Sequence, residues 1–198
     1  MININKIKKV VSILLVFLIV LTTNLVDKDN FNSLKKSVTT IYEDRIVASD
    51  LLFESLLLIH EKETALISSD SLFYQKRNKQ TNDEIKNYIE VYDQTKLTSK
   101  EHILFNEFKN EFNHLKKLEE SYVGSKSVNK SELLKSIDKI TNKLQSLSKI
   151  QLEEGKQQMF ISNKTIKTID LFTQIEIVFL IMMAILVQFI IFYDPKKK

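Results

Sequence analysis

The stretch IVFLIMMAILVQFIIF, residues 177–192, decides the fold class. With a less apolar lead-in from Thr173 it reaches about 20 residues, and a helix rising roughly 1.5 Å per residue then matches a hydrocarbon core of roughly 30 Å. Upstream, no proline interrupts the chain back to about Asn129, and Leu133, Ile137, Ile140, Leu144 and Leu147 recur in steps of four and three. That is the seam of a helix packed lengthwise against other helices. One long helix is therefore expected to leave a bundle and enter a membrane, and the rest of the chain is read as what it packs against.

Composition agrees. Two glycines and one proline in 198 residues are too few for the turns of a strand-rich fold or for a Gly-rich phosphate loop. The absence of cysteine excludes disulfides, thiolate metal sites and cysteine nucleophiles. The net charge of +4 resides at the ends, in Lys6, Lys8 and Lys9 before the first apolar run and in Lys196, Lys197 and Lys198 after the last. The middle is neutral, so the basic balance is a topology signal and implies no nucleic acid.

A second apolar run, VVSILLVFLIVLTTNLV at residues 10–26, follows the first lysines and is long enough to span. No small-x-small cleavage site follows it, so it is read as an uncleaved signal anchor. The expected layout is a cytoplasmic N-terminus over 1–9, a first span over 10–26, an extracytoplasmic domain over 27–172, a second span over 173–193 and a cytoplasmic basic tail over 194–198. Lysines at both outer ends put both termini in the cytoplasm of a bacterial, two-pass, inner-membrane protein. Gln188, a polar side chain inside the second span, suits contact with another helix and hence an oligomer.

In the external part the first helix keeps a heptad-like step through Leu34, Val38, Ile41, Arg45, Ala48, Leu52, Ile59 and Leu66, and ends at 68–71. Residues 75–84 (QKRNKQTNDE) carry no large apolar side chain and read either as a solvated helical face or as a long loop. Ile85, Tyr88, Ile89 and Tyr92 define a second helix. Thr98-Ser99-Lys100-Glu101 is a capping box that opens a third, with Ile103, Phe105, Phe108, Phe112, Leu115, Leu118 and Tyr122 on one broad face, closed by residues 123–127. Asn129 or Ser131 caps the fourth. The fold expected is an all-α, antiparallel four-helix bundle whose first and fourth helices are continuous with two transmembrane helices.

Polar residues interrupt the apolar seams at one level. Beyond Leu147 the fourth helix places Gln151, Glu154 and Gln158 at inward positions, and the first helix places Arg45 between Ile41 and Ala48. Counted from Asp27 and Phe172, Arg45 and Glu154 both fall roughly 27 Å above the membrane, with the turn at 93–97 near the same level. Arg45 is expected to face Glu154, with Gln151 or Gln158 as further hydrogen-bond partners. Such a layer either fixes register, as polar core positions do in coiled coils, or presents the Arg45 fork to a carboxylate ligand in place of Glu154. No cofactor is expected. His60, His102 and His114 lack the spacing of a helical metal pair, and Glu61, Glu63, Glu119 and Glu120 read as a solvated face. No nucleophile or paired-carboxylate arrangement supports catalysis.

Three segments carry a family resemblance: Ile41-Tyr-Glu-Asp-Arg-Ile46, Lys96-Leu-Thr-Ser-Lys-Glu101 opening the third helix, and the Leu-x-x-Leu then Gln pattern from Leu144 to Gln151. Together with the two-span layout they resemble the four-helix-bundle ligand-binding module of bacterial chemoreceptors, the methyl-accepting chemotaxis proteins, over residues 8–193. The resemblance implies a homodimeric extracytoplasmic sensor that binds small ligands such as organic acids or amino acids. In that family the signal passes through a small displacement of the fourth helix into a cytoplasmic kinase-control hairpin, which has no counterpart in these residues. A sensor of this kind is expected to act through a partner membrane or envelope protein. The other expectation, from a different class, is a structural or scaffolding subunit of an envelope complex; a relic of a longer receptor is a third.

Overall fold

The computed structural model describes residues 4–125 and 129–192, and every regular element among them is helical. Helix α1 runs Ile4–Thr40 and passes through a π-wound turn, Ile41–Ile46, into α2, Val47–Ile67. A second π-wound turn, Phe73–Arg77, leads into α3, Asn78–Tyr92. Helix α4 runs Ser99–Ser125 and α5 runs Lys130–Phe192. Among the described residues the helices thus form four continuous stretches. The basic tail at 194–198 and the end of the second span at Tyr193 lie outside the described residues, as do Lys126 and Ser127 of the turn expected to close α4. That helix runs on through Gly124.

Each turn has a local cause. After α2, Ser69 adopts φ 56° and Asp70 N–H bonds back to the Ala65 carbonyl at 2.9 Å, which closes a left-handed helix cap. Asp70 Oδ1 then accepts from the N–H groups of Leu72 and Phe73, 2.9 and 3.1 Å away, and starts the next helix. The capping box on α4 forms as expected: Thr98 N–H donates to Glu101 Oε2 at 2.6 Å and Glu101 N–H to Thr98 Oγ1 at 3.3 Å. Asn129 is the cap on α5, its Oδ1 accepting from Ser131 N–H at 3.1 Å.

The chain divides into two compact units. In the unit Thr39–Gln158, α2, α3, α4 and α5 share one apolar core. Ala48, Leu52, Ile59 and Leu66 meet Ile85 and Tyr92, the ring set Phe105, Phe108 and Phe112, and the α5 seam Leu133, Ile137, Ile140, Leu144 and Leu147. The α5 heptad is buried at every step. Several expected core positions, among them Ile89, Leu118 and Tyr122, are only half-buried, and two are exposed. Ile103 is exposed, because the inward face of α4 steps through Glu101, Phe105, Phe108, Phe112 and Leu115, and Ile103 lies two residues off it. Val38 is exposed at 55% while its neighbour Ser37 is buried at 8%, because the π-wound turn takes up one residue more than a heptad allows. Residues 75–84 are helical, and their inner face is polar and buried through Asn78 and Thr81.

The other unit joins the first part of α1 to the last part of α5. Within it Thr23 Oγ1 donates to Glu176 Oε1 at 3.1 Å, and large apolar side chains face outward, among them Phe17, Leu21, Ile177, Ile181 and Phe189. Helix α5 contains an 18-residue window of mean hydropathy 2.1, none of it buried, long and apolar enough to cross a membrane.

Candidate functional site: a buried arginine layer

Arg45 sits at the C-terminal end of the first π-wound turn, one step before Ala48 on the core face, and is 6% exposed. A buried guanidinium needs acceptors for its five N–H groups. Nη1 donates to Glu101 Oε1 at 2.9 Å and to Gln151 Oε1 at 3.0 Å, and Nη2 donates to the Lys96 carbonyl at 3.3 Å. Nε is buried without a partner.

Glu101 is fully buried and serves two elements at once. One oxygen closes the capping box; the other accepts from Arg45 and, at 2.7 Å, from Gln151 Nε2. Gln151 Nε2 also donates to Tyr92 Oη at 2.8 Å, and burial pushes the Tyr92 phenol up to about 12. Asp44, beside Arg45, accepts from Lys96 N–H at 3.1 Å. The α3–α4 turn therefore lies at the height of Arg45, as expected.

Of the four residues expected to form the site, the structure brings together Arg45 and Gln151. The expectation that Arg45 faces Glu154 is corrected: its acidic partner is Glu101, on α4. Glu154 and Gln158 are half-buried, and neither is among the hydrogen-bond partners of Arg45. Counting heights on two helices could not reveal a third contributing at the same level. The capping box itself is read from the sequence; the missed signal is that its Glu101 also falls in phase with Phe105 and Phe108.

A second charged layer was missed outright. Lys62 Nζ donates to both carboxylate oxygens of Glu119, at 2.8 and 3.0 Å, and to Asn78 Oδ1; both charged side chains are buried. Asn78 and Asn82 add donors to Glu119 Oε2 at 3.1 and 3.2 Å. Burial lowers the Lys62 pKa against the pull of Glu119. Glu119 is thus no part of a solvated face. Its signal was available, since Lys62 continues the α2 seam and Glu119 the α4 seam. The pairs 45–101 and 62–119 run in the same chain order, so the helical stretch 41–67 runs parallel to α4, with both bases on the first and both acids on the second.

Among the described residues no group of three His, Cys, Asp or Glu side chains is placed to hold a metal. A narrow crevice lies between α2, α3 and α4, lined by Leu51, Leu52, Ser55, Tyr88, Tyr92 and Phe105, with Tyr92 shared between it and the arginine layer. No family model, curated protein or solved structure matches this chain.

Proposed function

We propose that this chain is a two-span membrane protein whose extracytoplasmic domain, an antiparallel four-helix bundle continuous with both spans, is a sensory, ligand-binding module acting through a partner protein. The observation that carries the reading is Arg45: a buried guanidinium whose Nε–H has no acceptor, beside hydrogen bonds that a carboxylate could replace. A small organic acid or amino acid would take up Nε and compete with Glu101 for Nη1. The chemoreceptor-like layout and the terminal lysines support a bacterial inner-membrane location with both termini in the cytoplasm. We read no catalytic role.

Homodimerisation is part of the proposal. Tyr42, Ile46, Phe53 and Leu57 form an exposed apolar stripe along the first π-wound turn and α2, stepping by four, seven and four, which suits a second long helix. The same stripe is the feature that favours the scaffolding alternative, in which a different envelope protein covers it and the arginine layer only fixes register.

The test is a thermal melt of the full chain in nanodiscs, followed by helical circular dichroism against panels of amino acids and of mono- and dicarboxylates, with Arg45→Ala in parallel. A rise of several degrees from one ligand class, absent in the variant, is expected. No rise from any compound, together with a stable partner co-purifying from membranes, sinks the sensory reading in favour of the scaffold.

A further inference from the structure

The helical stretch 41–67 carries two strong bases, Arg45 and Lys62, and both are buried in ion pairs with α4. The surface left to it is acidic and apolar. Its outermost row, stepping by three and four, is Glu43, Ile46, Asp50, Phe53, Leu57 and His60, every one exposed. Helix α5 has an outer row of the same step: Lys156, Leu152, Lys149, Gln145, Asn142 and Asp138, again all exposed. The two helices are antiparallel neighbours, joined by the Arg45–Gln151 bond at one level and by Lys130 to the Ile67 carbonyl at another.

Other edges of this unit pair their surface charges. Lys139 and Lys143 reach from α5 to Glu111 and Glu107 on α4, and Arg77 reaches Glu61 on α2. By contrast, the side chains of Glu43, Asp50, Lys149 and Lys156 make no hydrogen bond or ion pair among the described residues. Their heights nevertheless match. Counted from the Arg45–Gln151 level, Glu43 and Lys156 lie two and five residues toward one end, and Asp50 and Lys149 five and two toward the other. Ile46 and Leu152 fall one residue to either side of that level, and His60 and Asp138 lie fifteen and thirteen residues beyond it. At about 1.5 Å per residue, the members of each pair are within roughly 5 Å of one height, a gap that long side chains bridge.

We infer that a second copy of this chain docks its α5 row on the α2 row, and its α2 row on α5, about a two-fold axis running along the helices. Such an axis preserves height, so Glu43 meets Lys156, Ile46 meets Leu152, Asp50 meets Lys149 and His60 meets Asp138, and each pair forms twice. Like rows do not fit. Pairing α2 with α2 would leave Glu43 and Asp50 facing a surface with no exposed lysine or arginine, and pairing α5 with α5 would oppose Lys149 and Lys156. The inference rests on the homodimer reading, specifies which faces meet, and asks nothing of ligand binding.

The chain has no cysteine, so single thiols can be placed cleanly. Two differently tagged copies of the full chain, one with Leu57→Cys and one with Asn142→Cys, are co-expressed in one membrane and oxidised. A disulfide needs Cα atoms within about 7 Å, so the mixed product is expected to exceed either self-product by about threefold or more. A predominant Leu57→Cys self-product would mean that α2 meets α2, which overturns the inference and keeps the homodimer. A disulfide from Leu57→Cys to a different protein overturns it in favour of the scaffolding partner. Absence of all products overturns it in one of two ways, read by light scattering in nanodiscs: a dimer places the contact on another face, and a monomer removes the homodimer reading as well. Charge reversal gives an independent reading, because Asp50 and Lys149 have no bond within their own chain whose loss would disturb folding. Asp50→Lys and Lys149→Asp are each expected to weaken the dimer several-fold, and the two in one chain to restore it. A double variant that dimerises no more tightly than the single ones also overturns the inference.

Discussion

The carboxylate of Glu101 is shared between two helices: one oxygen accepts from Arg45 Nη1 at 2.9 Å while the other caps α4 through Thr98 N–H at 2.6 Å. Local folding of α4 and the pairing of α4 with the helix carrying Arg45 therefore depend on one side chain. A helix start is usually a local matter. Here the capping acid is buried, and the ion pair can form with good geometry only when the cap is in place.

Removing either partner leaves a charge in the core, so Glu101→Ala and Arg45→Ala are each expected to cost about 3–5 kcal/mol in chemical denaturation. Glu154→Ala, at a half-buried position outside the layer, is expected to cost under about 0.5 kcal/mol. A loss at Glu154 equal to that at Glu101 would restore the pairing drawn from helix heights alone.

The Lys62–Glu119 pair has the same architecture and allows a cleaner separation of pairing from burial. Lys62→Met alone strands Glu119, with only its two asparagine donors, and is expected to cost about 3 kcal/mol or more. Lys62→Met with Glu119→Leu places two apolar side chains where the pair was and is expected to recover most of that loss. If the double variant is no more stable than either single, the layer contributes net stability and does not merely fix register.

The helical seams were legible because their periodicity is carried by large apolar residues: Leu133 to Leu147 on α5 and Phe105 to Leu115 on α4 are buried as the pattern requires. Arg45 was legible as a polar break in such a seam. Glu119 and Lys62 were not, although each is in phase, because a charged residue on an amphipathic helix is ordinarily solvated. The residues 75–84 misled for the same reason, since Asn78 and Asn82 donate to Glu119 of that pair and Thr81, also buried, bonds to the Arg77 carbonyl. The π-wound turn left no trace in the sequence, where Leu34, Val38, Ile41, Arg45 and Ala48 alternate steps of four and three as an unbroken heptad seam would.

Tyr92 gives a pH signature for the arginine layer. Its phenol titrates near 10 when unfolded and about 12 when folded, because burial disfavours the phenolate. An acid whose folded pKa is raised contributes stability below its unfolded pKa and loses it as pH rises toward the folded value. Stability is therefore expected to fall by roughly 2 kcal/mol between pH 10 and 12 from this group. Tyr92→Phe should flatten that part of the profile, at a cost near neutral pH of about 1 kcal/mol for the acceptor that Gln151 Nε2 loses. Urea midpoints across the alkaline range read both effects; an identical alkaline slope in the variant would assign the loss elsewhere.

Ser69 isolates a backbone effect. It is the one non-glycine residue at positive φ among the described residues, and it closes the cap that turns α2 toward α3. An L side chain crowds the following carbonyl in the left-handed region, at a cost of roughly 1 kcal/mol that glycine avoids. Against this, glycine gives the unfolded chain more freedom, and Ser69→Gly also removes the hydroxyl that accepts from Lys130 Nζ at 3.3 Å. That contact is exposed and long, and Lys130 keeps its shorter bond to the Ile67 carbonyl at 2.9 Å, so the strain term wins. Ser69→Gly is expected to stabilise the chain by about 0.5 kcal/mol, read as a higher urea midpoint with an unchanged slope. A lower midpoint would mean that Lys130 and Ser69 hold the α2 cap to the start of α5 more tightly than an exposed contact of this length implies.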